Sequence, residues 1–413
     1  MLTVDQARDR ILAGASALPP EKVVLADALG RVLASDVEAL LTLPPWDNSA
    51  MDGFAVRFAD VADASEAAPV TLKVVETIAA GHVGKRQLTG SECARIMTGA
   101  PMPQGADSIV PVEHTAASDR DSVRIQQAPK KTGAHVRCAG EDIKAGQMVL
   151  ETGVELTPAR IAMAAAVGNG WLDVYCRPRV AILATGDELV EPGETPAAGQ
   201  IVSSNSHSMI AMVQEAGGIP VYLGIARDEP EDLLRRMRGG LNADLLLTSG
   251  GVSVGDFDYV KQVYERLDMS MDFWRVRMKP GKPLAFGRIH GIPVIGLPGN
   301  PIATAVGFEQ FVRPLIRRML GHRVLGRPVV KARLPDGYSK EGGRVLFHRV
   351  KLECDDNGWI ARSAGGQGSA MMYSMAYADG LAVIPAEVES LNDGAVVDVQ
   401  VLNLAKLGGG YDE

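Results

Sequence analysis

Three apolar segments, each followed by a loop rich in glycine and polar residues, decide the fold of this 413-residue chain: VAILATGDELV (180–190), ADLLLTSGGVSVGDFDY (243–259) and IPVIGLPGNP (292–301). Each begins with a short apolar run, which is typical of a strand that is buried on both faces. Amphipathic segments with helical spacing separate the three. This alternation predicts a doubly wound, mostly parallel α/β sheet, whose ligands bind at the carboxyl ends of the strands.

The loop after the first strand carries two acidic residues, Asp187 and Glu188, directly after Gly186. Acidic residues near the start of a helix interact favourably with the helix dipole, and this effect alone would explain them. Carboxylates are also preferred ligands of hard cations such as Mg²⁺, and they act as acids or bases in catalysis. Both interpretations remain open from the residues alone.

The loop after the second strand contains Ser249, Gly250 and Gly251. Glycine lets backbone N–H groups approach an anion closely, and serine adds a hydroxyl donor. An ordinary flexible loop fits the same composition. The loop matches neither the Walker pattern nor the dinucleotide-binding glycine pattern, which disfavours both of those classes of protein.

Two further segments are compatible with a binding site. Pro298, Asn300 and Pro301 predict a stiff loop, as a preorganised site requires, although Pro301 also suits the first position of a helix. Ser204 and Asn205 open a predicted helix, where free N–H groups and hydroxyls favour a phosphate or pterin. Simple helix capping explains these two residues equally well.

The segment from Trp274 to Arg288 contains five Lys or Arg residues and no acidic residue. In a chain of net charge −8, such a segment predicts a local attraction for anions. Lys279 and Lys282 flank Pro-Gly in a tight turn. A solvated hairpin is the alternative, because charged runs usually lie on the surface.

The chain is β-rich on both sides of the α/β segment. Short strands such as TLKVVETI (71–78) are punctuated by glycine and proline, and a compact barrel or sandwich fits the residues after 321. The N-terminal part predicts a helix with a capping box at Thr3 and Gln6, a second helix at about 24–33 and a third within 155–171.

These patterns predict a central α/β domain flanked by a β-rich N-terminal lobe with helices and by a small C-terminal β-barrel-like domain. The expected division is a helical and extended linking domain (1–49 and 146–176), a β-rich domain (50–145), an α/β domain (177–325), a C-terminal β domain (326–404) and a tail (405–413).

Composition argues against several classes of function. The 42 Lys and Arg residues against 50 Asp and Glu residues disfavour a protein that coats nucleic acid. The four cysteines form no C-x-x-C pair, so neither a zinc site nor a redox motif is predicted. The first residues are charged where a signal peptide is apolar, and no apolar run of about 18 residues occurs. We therefore expect a cytoplasmic protein without a nucleic-acid or membrane partner.

Eight strings occur in order along the chain: PPWDNSAMDGFAVR (44–57), RIMTGAPMPQGAD (95–107), GEDI (140–143), TGDEL (185–189), GQIVSSN (199–205), TSGGVSVGDFDY (248–259), MKPGKPLAFG (278–287) and GLPGNP (296–301). Together they resemble the molybdopterin molybdenumtransferase family, of the MoeA and gephyrin E-domain type, from about residue 3 to residue 403. Two departures from the family pattern are Arg275 in place of Lys and Trp46 in place of Phe.

This resemblance implies an enzyme of molybdenum cofactor biosynthesis. Its substrates would be molybdate and adenylylated molybdopterin, its products the molybdenum cofactor and AMP, and Mg²⁺ would be required. The resemblance further implies a homodimer, a molybdopterin adenylyltransferase as upstream donor, and molybdoenzymes or cofactor carriers as recipients. Two alternatives stay open: a non-catalytic cofactor-binding or scaffold protein of the same fold, and a paralogue that is specific for tungstate.

The resemblance also implies roles for individual residues. The catalytic residues would be Asp187, Glu188, Asp228, Asp52 and Asp142, of which the first three would also hold the cation. Substrate binding would involve Thr98, Thr185, Gly186, Ser204, Asn205, Ser249, Gly250, Gly251, Asp258, Lys279, Lys282, Pro298, Asn300, Pro301, Arg349 and Ser369. The N-terminal residues Asp52, Thr98 and Asp142 would reach the site of the partner subunit, and Arg349 and Ser369 would close over the molybdate.

Overall fold

The computed structural model describes residues 1–118, 121–251, 257–339 and 341–408 of the chain. It divides into two compact units whose segments alternate along the sequence. The small unit comprises Lys22–Leu29 and Ser35–Asp173, and the large unit comprises Met1–Glu21, Gly30–Ala34 and Val174–Glu413. The finer division into four domains and a tail stays a prediction.

The described residues form the following elements. The α-helices are α1 (Val4–Leu12), α2 (Phe58–Val61), α3 (Pro158–Ala166), α4 (Ser204–Glu215), α5 (Pro230–Gly240), α6 (Phe257–Arg266), α7 (Pro301–Gly307), α8 (Arg313–Met319) and α9 (Met372–Ala376). Phe308–Val312 is a π-helical segment between α7 and α8, and 3₁₀ turns occupy Leu25–Asp27, Val112–His114 and Leu404–Gly408. None of the helices in these ranges has the length and apolar character that crossing a membrane requires.

Strands account for most of the remaining ordered backbone. They are β1 (Pro20–Val24), β2 (Val37–Glu38), β3 (Asn48–Ser49), β4 (Gly53–Val56), β5 (Val70–Ile78), β6 (Glu92–Ile96), β7 (Ser108–Pro111), β8 (Thr115–Ser118), β9 (Ser122–Ile125), β10 (Val136–Arg137), β11 (Met148–Leu150), β12 (Trp171–Tyr175), β13 (Arg179–Thr185) and β14 (Leu189–Val190). Those that follow are β15 (Ile201–Val202), β16 (Ile219–Ala226), β17 (Leu245–Ser249), β18 (Ser270–Arg275), β19 (Met278–Lys279), β20 (Pro283–Ile289), β21 (Ile292–Leu297), β22 (Val329–Leu334), β23 (Tyr338–Ser339), β24 (Val345–Asp355), β25 (Gly358–Ser363), β26 (Gly380–Ile384), β27 (Ser390–Leu391) and β28 (Ala395–Val401).

The predictions for the N-terminal helices have mixed outcomes. The capping box is confirmed, since Gln6 N–H donates to Thr3 Oγ1 (3.1 Å) and Thr3 N–H donates to Gln6 Oε1 (3.0 Å). The helix within 155–171 is confirmed as α3. The predicted helix at 24–33 is wrong, because strand β1 and a single 3₁₀ turn occupy its first half and Gly30, at φ +72°, turns the chain. The β-branched side chains of Val23 and Val24 favour the extended backbone of β1.

The small unit is built around a six-stranded sheet of order β7-β4-β6-β5-β9-β8. Strands β5 and β6 pair in parallel, and the other neighbours pair antiparallel. The predicted strand at 71–78 is confirmed as β5. Phe54, Leu72, Val110 and Ile125 belong to the buried core of this sheet.

The large unit contains the predicted α/β sheet, with the order β16-β13-β17-β21-β20-β18. The first four strands pair in parallel. Alternate residues of β13 serve opposite faces: Val180 and Ile182 pack in a cluster that includes residues of α4, whereas Ala181 and Leu183 pack in a cluster that includes residues of α5 and α6. The doubly wound, mostly parallel architecture is therefore confirmed.

Strand β20 is the exception, because it runs antiparallel to both of its neighbours. A two-residue turn at His290 (φ +49°) and Gly291 (φ +87°) joins β20 to β21, with Ile289 opposite Ile292. Two consecutive residues of positive φ are typical of a type I′ turn, which connects antiparallel strands tightly. The alternation of strands and helices contains no signal for this hairpin.

The C-terminal strands close into a barrel. Five strands pair in a closed circuit: β24 with β25, β25 with β22, β22 with β28, β28 with β26, and β26 with β24. The circuit surrounds buried residues that include Val350, Leu352 and Val399. The predicted small C-terminal β-barrel-like domain is thereby confirmed. Strand β19 pairs in parallel with β24 and so ties the 276–283 segment to the barrel.

A buried ion cluster links the end of the α/β region to the segment that leads into the barrel. Both Oε atoms of Glu309 accept hydrogen bonds of 2.8 Å from Arg327. The side chain of Glu309 is only 3% exposed and that of Arg327 only 5%. Arg327 also binds Glu215 through two hydrogen bonds of 2.7 and 2.9 Å, which lower the pKa of Glu215. Arg313 lies 3.9 Å from Glu309. Arg313 and Arg327 thus have a structural role.

We expect Glu309→Ala to lower the free energy of unfolding by about 3–5 kcal/mol, because removal of one partner leaves buried guanidinium groups without their countercharge. Urea denaturation measures the effect. The control is Glu265→Ala, whose carboxylate is exposed and 4.0 Å from Lys261. That change should cost no more than about 0.5 kcal/mol. Equal losses in both variants would contradict a stabilising role for the buried cluster.

Candidate active site

The carboxyl ends of four parallel strands border one cavity of about 840 Å³ in the large unit. Thr185 and Gly186 follow β13, Asp228 follows β16, Gly250 and Gly251 follow β17, and Pro298, Gly299 and Asn300 follow β21. The turn 279–282 and residues of the C-terminal region complete the lining. A volume of this size is within the usual range for a small-molecule site.

The acidic residues of the cavity come from neighbouring strand ends. Asp228 N–H donates to Asp187 Oδ1 (3.2 Å), and Asp187 N–H donates to Asp228 Oδ2 (3.4 Å), so each loop holds the other. Arg227 Nη1 donates to the Asp187 carbonyl (3.3 Å). Glu188 and Asp228 are exposed and line the cavity. The three carboxylates predicted from the TGDEL segment and from Asp228 are thus brought to one edge of the sheet.

Gly186 is required for the position of Glu188. Its φ of +145° is a conformation that residues with a side chain rarely adopt. A Cβ atom at this position would clash with the Glu188 carboxylate. The glycine therefore lets the carboxylate lie directly against the backbone at the end of β13.

The donor set fits a cation that is shared with a bound substrate. Among the described residues, no three carboxylate, imidazole or thiolate side chains lie close enough together to hold a metal ion unaided. Mg²⁺ usually retains waters and binds through one or two carboxylates together with substrate phosphates. Glu188 and Asp228, the carboxylates of this edge that line the cavity, suit that mode of binding, and they do not form a closed protein cage.

Two lysines contribute positive charge to the same cavity. Lys279 and Lys282 are both exposed and line it. Strand β19 pairs Lys279 with Leu346 of β24, and Val276 N–H donates to the Lys282 carbonyl (3.0 Å), so the turn is held at both ends. The structure places this segment in the wall of a cavity, where its ammonium groups can meet an anionic ligand.

Asn205 organises the edge of the sheet between two loops. Its Nδ2 donates to Ser249 Oγ (2.9 Å), to the Gly299 carbonyl (2.8 Å) and to Thr304 Oγ1 (3.3 Å). Ser249 Oγ also donates to the Pro298 carbonyl (3.4 Å). One amide group at the start of α4 therefore joins the loops after β17 and β21.

A second chamber of about 330 Å³ adjoins the main cavity. Thr185, Glu188, Gly250 and Asn300 line both spaces. The predicted site residues that line the second chamber without lining the main cavity are Ser204, Asn205, Ser249 and Pro301.

The C-terminal region contributes a loop that Arg349 holds in place. The Arg349 side chain is fully buried and donates through Nε to Ser374 Oγ (2.9 Å) and through Nη2 to the carbonyls of Gly366 (2.9 Å) and Gly368 (3.1 Å). Burial lowers the pKa of Arg349. Gln367, Gly368 and Ser369 of this loop line the main cavity. Arg349 thus supports residues of the lining, and its predicted contact with substrate stays a prediction.

Ser369 is fixed against the α/β part of the site. Asn300 Nδ2 donates to Ser369 Oγ (3.2 Å), and Ile302 N–H donates to the Ser369 carbonyl (3.2 Å). Two residues that were predicted from separate motifs, Asn300 and Ser369, are therefore in direct contact.

Three predicted site residues, Asp52, Thr98 and Asp142, belong to the small unit. Asp52 Oδ1 accepts hydrogen bonds from the N–H and the Oγ1 of Thr98, each 2.7 Å, and these bonds lower the pKa of Asp52. Asp47 Oδ1 accepts from Ala139 N–H (2.7 Å), next to the GEDI segment that contains Asp142. Asp52, Thr98 and Asp142 are all exposed. The segment 47–53 is thus hydrogen-bonded to the segment that contains Thr98 and to the segment that precedes Asp142.

Two aspects of the site fall outside the sequence predictions. Arg344 and Tyr338 line the main cavity, although no motif marked them. Arg344 directly precedes β24, which pairs with β19, and Tyr338 begins β23, which pairs with β27. The linear sequence reveals neither of these pairings. The side chain of Asp258 and residues 252–256 lie outside the described residues, so the role of Asp258 stays a prediction.

Family models match most of the chain. The MoeA N-terminal region (domain I and II) matches residues 2–168, the probable molybdopterin binding domain matches 181–318, and the MoeA C-terminal region (domain IV) matches 331–402. The matches follow the order in which the β-rich, α/β and barrel regions occur in this chain.

Named relatives match along the same length. Molybdopterin molybdenumtransferase of Nostoc sp. is 40% identical over 390 residues, which cover 93% of this chain and 88% of that protein. The protein of that name from Haemophilus influenzae is 33% identical and covers 98% of this chain and 99% of its own length. The crystal structure of the molybdopterin biosynthesis MoeA protein from Pyrococcus horikosii superposes with a TM-score of 0.84 at 33% identity, over 97% of this chain and 99% of that one. This chain therefore belongs to the molybdopterin molybdenumtransferase family, the family of the MoeA proteins.

Proposed function

We propose that this protein is a transferase of molybdenum cofactor biosynthesis, which inserts molybdenum from molybdate into adenylylated molybdopterin and releases AMP. Its relatives carry the name molybdopterin molybdenumtransferase over almost the whole chain. The observation that carries the proposal is one cavity lined by both carboxylates and lysines at the carboxyl edge of the sheet. No feature of the described residues favours a non-catalytic scaffold.

Both substrates are anions, so the site must supply positive charge. Molybdate is a dianion, and the phosphoanhydride of adenylylated molybdopterin adds further negative charge. Lys279 and Lys282 line the cavity and supply the positive field that such ligands require. Arg344 lies in the same wall. We propose that the lysine turn receives molybdate, while Ser369 at the end of the Arg349-supported loop donates a hydrogen bond to one of its oxygens.

The acidic edge suits cleavage of the anhydride. Water attack on the phosphorus of the anhydride yields AMP and leaves a phosphate monoester on molybdopterin. A carboxylate within reach of this water accepts its proton, as general-base catalysis requires. We propose Glu188 for this task, because it is exposed and lines the cavity near the end of β13. Asp187 and Asp228 position the two neighbouring loops through their mutual N–H contacts.

We further propose that Mg²⁺ binds with the substrate at Asp187, Glu188 and Asp228. When bound, the cation would neutralise charge on the phosphate oxygens and so favour attack by water. The carboxylates of this chain would orient it at the strand ends. Its retention would depend on the phosphates of the ligand, since the described residues offer no closed cage.

The remaining proposals concern the assembly. We propose a homodimer in the cytoplasm, in which Asp52, Thr98 and Asp142 complete the site of the partner subunit. Their support is that all three side chains are exposed on the small unit and that Asp52 and Thr98 are hydrogen-bonded to each other. A molybdopterin adenylyltransferase would supply the adenylylated substrate, and molybdoenzymes or cofactor carriers would receive the product.

Wild-type protein should release AMP from adenylylated molybdopterin when molybdate and Mg²⁺ are present. Glu188→Gln should slow this release by about 10²-fold or more, because the amide cannot accept the proton of the attacking water. AMP is measured by chromatography in single-turnover reactions. Glu194→Gln is the matched control, since Glu194 is exposed in the same region and its hydrogen bond from Glu191 N–H can be kept by a glutamine oxygen. Absence of AMP release by the wild type would refute the proposed function, and full activity of Glu188→Gln would refute its assigned role.

Lys279→Ala should weaken the binding of molybdate by about tenfold at low salt, because it removes one of the positive charges of the cavity wall. The difference from the wild type should shrink as salt rises, since screening weakens the lost attraction in both proteins. Isothermal titration with molybdate measures both effects. Lys331→Ala, on the barrel and paired with Asp398, should leave the affinity unchanged. A difference that does not depend on salt would argue against an electrostatic role.

A site shared between subunits should allow two inactive variants to complement each other. Asp52→Asn keeps the oxygen that accepts from Thr98 but lacks the negative charge. Random mixing of Asp52→Asn with Glu188→Gln would recover at most about a quarter of wild-type AMP release, because only half of the dimers are mixed and each has one intact site. Each variant refolded alone is the control. No recovery in verified mixed dimers would exclude the shared site.

A further inference from the structure

The segment that carries Glu188 is attached to the segment before α4 by backbone hydrogen bonds. The Glu188 carbonyl accepts from Ile201 N–H (2.7 Å), and the Val190 carbonyl accepts from Ser203 N–H (2.9 Å). Between these two bonds, β14 and β15 pair in parallel, with Leu189 opposite Ile201. The position of Glu188 therefore depends on how firmly this β14–β15 ribbon is held against the sheet.

The β14–β15 ribbon has an attachment on each side of Glu188. Two residue pairs are too few for a stable ribbon, because isolated two-stranded β structure is marginal in water. On the side of β13, Asp187 and Asp228 bond to each other's backbone N–H groups. On the other side, directly after β14, Glu191 Oε1 accepts a hydrogen bond from Tyr222 Oη (2.8 Å). No sequence motif marked this second attachment.

Tyr222 is itself fixed by the sheet. It lies in β16 opposite Ile182 of β13, and its side chain packs against the buried cluster that includes Ile182 and Val213. Burial raises the pKa of Tyr222 to about 12, so the hydroxyl keeps its proton at neutral pH. The proton is therefore offered to Glu191 from a position that the strand pairing determines.

The hydroxyl groups behind Glu191 form a chain whose direction follows from the protons available. A carboxylate only accepts, so the Tyr222 hydroxyl donates to Glu191. Ser206 also hydrogen-bonds to Tyr222 and must then be the donor. Ser206 Oγ lies 2.9 Å from Ser203 Oγ, so Ser203 donates to Ser206. Ser203 also bonds the ribbon through its N–H, so the chain of hydrogen bonds begins and ends on the ribbon.

His207 makes a weaker contact with the same carboxylate. Its Nε2 lies 3.6 Å from Glu191 Oε2, and its side chain is 51% exposed. The His207 and Tyr222 rings are tilted, with centroids 6.0 Å apart. A water-exposed pair of this kind contributes little, because solvent screens it. The hydrogen bond from Tyr222 is therefore the main attachment of Glu191.

We propose that Tyr222 is a positioning residue for Glu188: its hydroxyl holds Glu191 and thereby the β14–β15 ribbon that carries Glu188. This inference rests on the proposed function, in which Glu188 accepts the proton of the attacking water. A general base must lie within hydrogen-bond distance of that proton, and a displacement of about 1 Å can cost a large part of the rate. Tyr222 is not among the described residues that line the main cavity or the second chamber, so it acts through the ribbon.

Hydrogen exchange of the intact protein tests the attachment without a catalytic assay. Tyr222→Phe keeps the ring and removes only the hydroxyl. The amide hydrogens of Ile201 and Ser203, which bond the two sides of the ribbon, should then exchange about tenfold faster, because the ribbon opens more easily. Mass spectrometry of peptides that cover 186–203 measures this change.

Tyr264→Phe is the matched control. It also removes a buried tyrosine hydroxyl, which contacts Thr248 Oγ1 at 3.3 Å, but Tyr264 packs in the cluster that includes Ala181 and Leu183, whereas Tyr222 packs against the cluster on the opposite face of β13. Both variants should lower the melting temperature. Only Tyr222→Phe should speed exchange in the ribbon.

Kinetics test the consequence for Glu188. Tyr222→Phe should lower kcat for AMP release by about three- to tenfold and change KM for adenylylated molybdopterin by less than about twofold, because a displaced base affects the transition state more than substrate binding. Tyr264→Phe should leave both constants unchanged. A purely structural role of Tyr222 would lower the melting temperature without changing kcat, and that result would overturn the proposal.

Variants of Glu191 separate the hydrogen bond from the charge. Glu191→Gln retains an oxygen that accepts from Tyr222, so it should keep kcat within about twofold of the wild type. Glu191→Ala should lower kcat as Tyr222→Phe does. The double variant Tyr222→Phe/Glu191→Ala should be no slower than the slower single variant, because both changes remove the same contact. Fully additive losses would contradict a shared role.

The two measurements distinguish failure of this inference from failure of the proposed function. Unchanged exchange at Ile201 and Ser203 in Tyr222→Phe would overturn the attachment, even where the wild type releases AMP normally. Absence of AMP release by the wild type would refute the proposed function and the catalytic consequence together. Hydrogen exchange would in that case still decide whether Tyr222 holds the ribbon, because it requires no turnover.

Discussion

The parallel pairing of β13 with β16 and β17, and of β17 with β21, is the constraint on which the site depends. Parallel strands leave the sheet at one edge, so four loops that are far apart in sequence must end beside one another. The register places Ser249 of β17 opposite Ala184 on one side and Leu297 on the other. Asn205 then joins the loops after β17 and β21 through its amide nitrogen. A shift of this register would separate the groups that follow β13, β17 and β21.

The site separates its charges by element. Carboxylates follow β13 and β16, lysines belong to the turn that β19 holds against the barrel, and uncharged hydroxyl and amide groups surround the start of α4. A ligand with an anhydride, a second oxyanion and flat rings needs these three environments at once. The barrel also positions part of the site, because the buried guanidinium of Arg349 donates hydrogen bonds to the carbonyls of Gly366 and Gly368. The loop thereby brings Ser369 within reach of Asn300.

Much of the fold was predictable from the sequence because it depends on local patterns. Apolar runs followed by glycine predicted β13, β17 and β21, and the Thr3 and Gln6 pair predicted the start of α1. The helix expected at 24–33 was wrong because apolar spacing alone does not detect the turn at Gly30. The β20–β21 hairpin was not predicted, because its turn depends on positive φ angles at His290 and Gly291 and the strand–helix alternation does not mark it.

The acidic and lysine residues of the site were predicted from motifs, whereas the groups that surround them were not. Arg344 directly precedes β24, whose pairing with β19 joins residues almost seventy positions apart, and Tyr338 lies in β23, which pairs with β27. The placement of Arg349 in the interior depends likewise on the closure of the barrel. Motif resemblance also says nothing about which side chains line the main cavity and which line the adjoining chamber. Such features require the tertiary structure, because no local pattern encodes them.

Anomalous X-ray scattering from crystals soaked with molybdate would locate the bound molybdenum. We expect a molybdenum peak inside the main cavity, within hydrogen-bond or ion-pair distance of Lys279 or Lys282 and next to Ser369. A molybdenum peak at another surface, with the lysine turn and the cavity left empty at saturating molybdate, would contradict it.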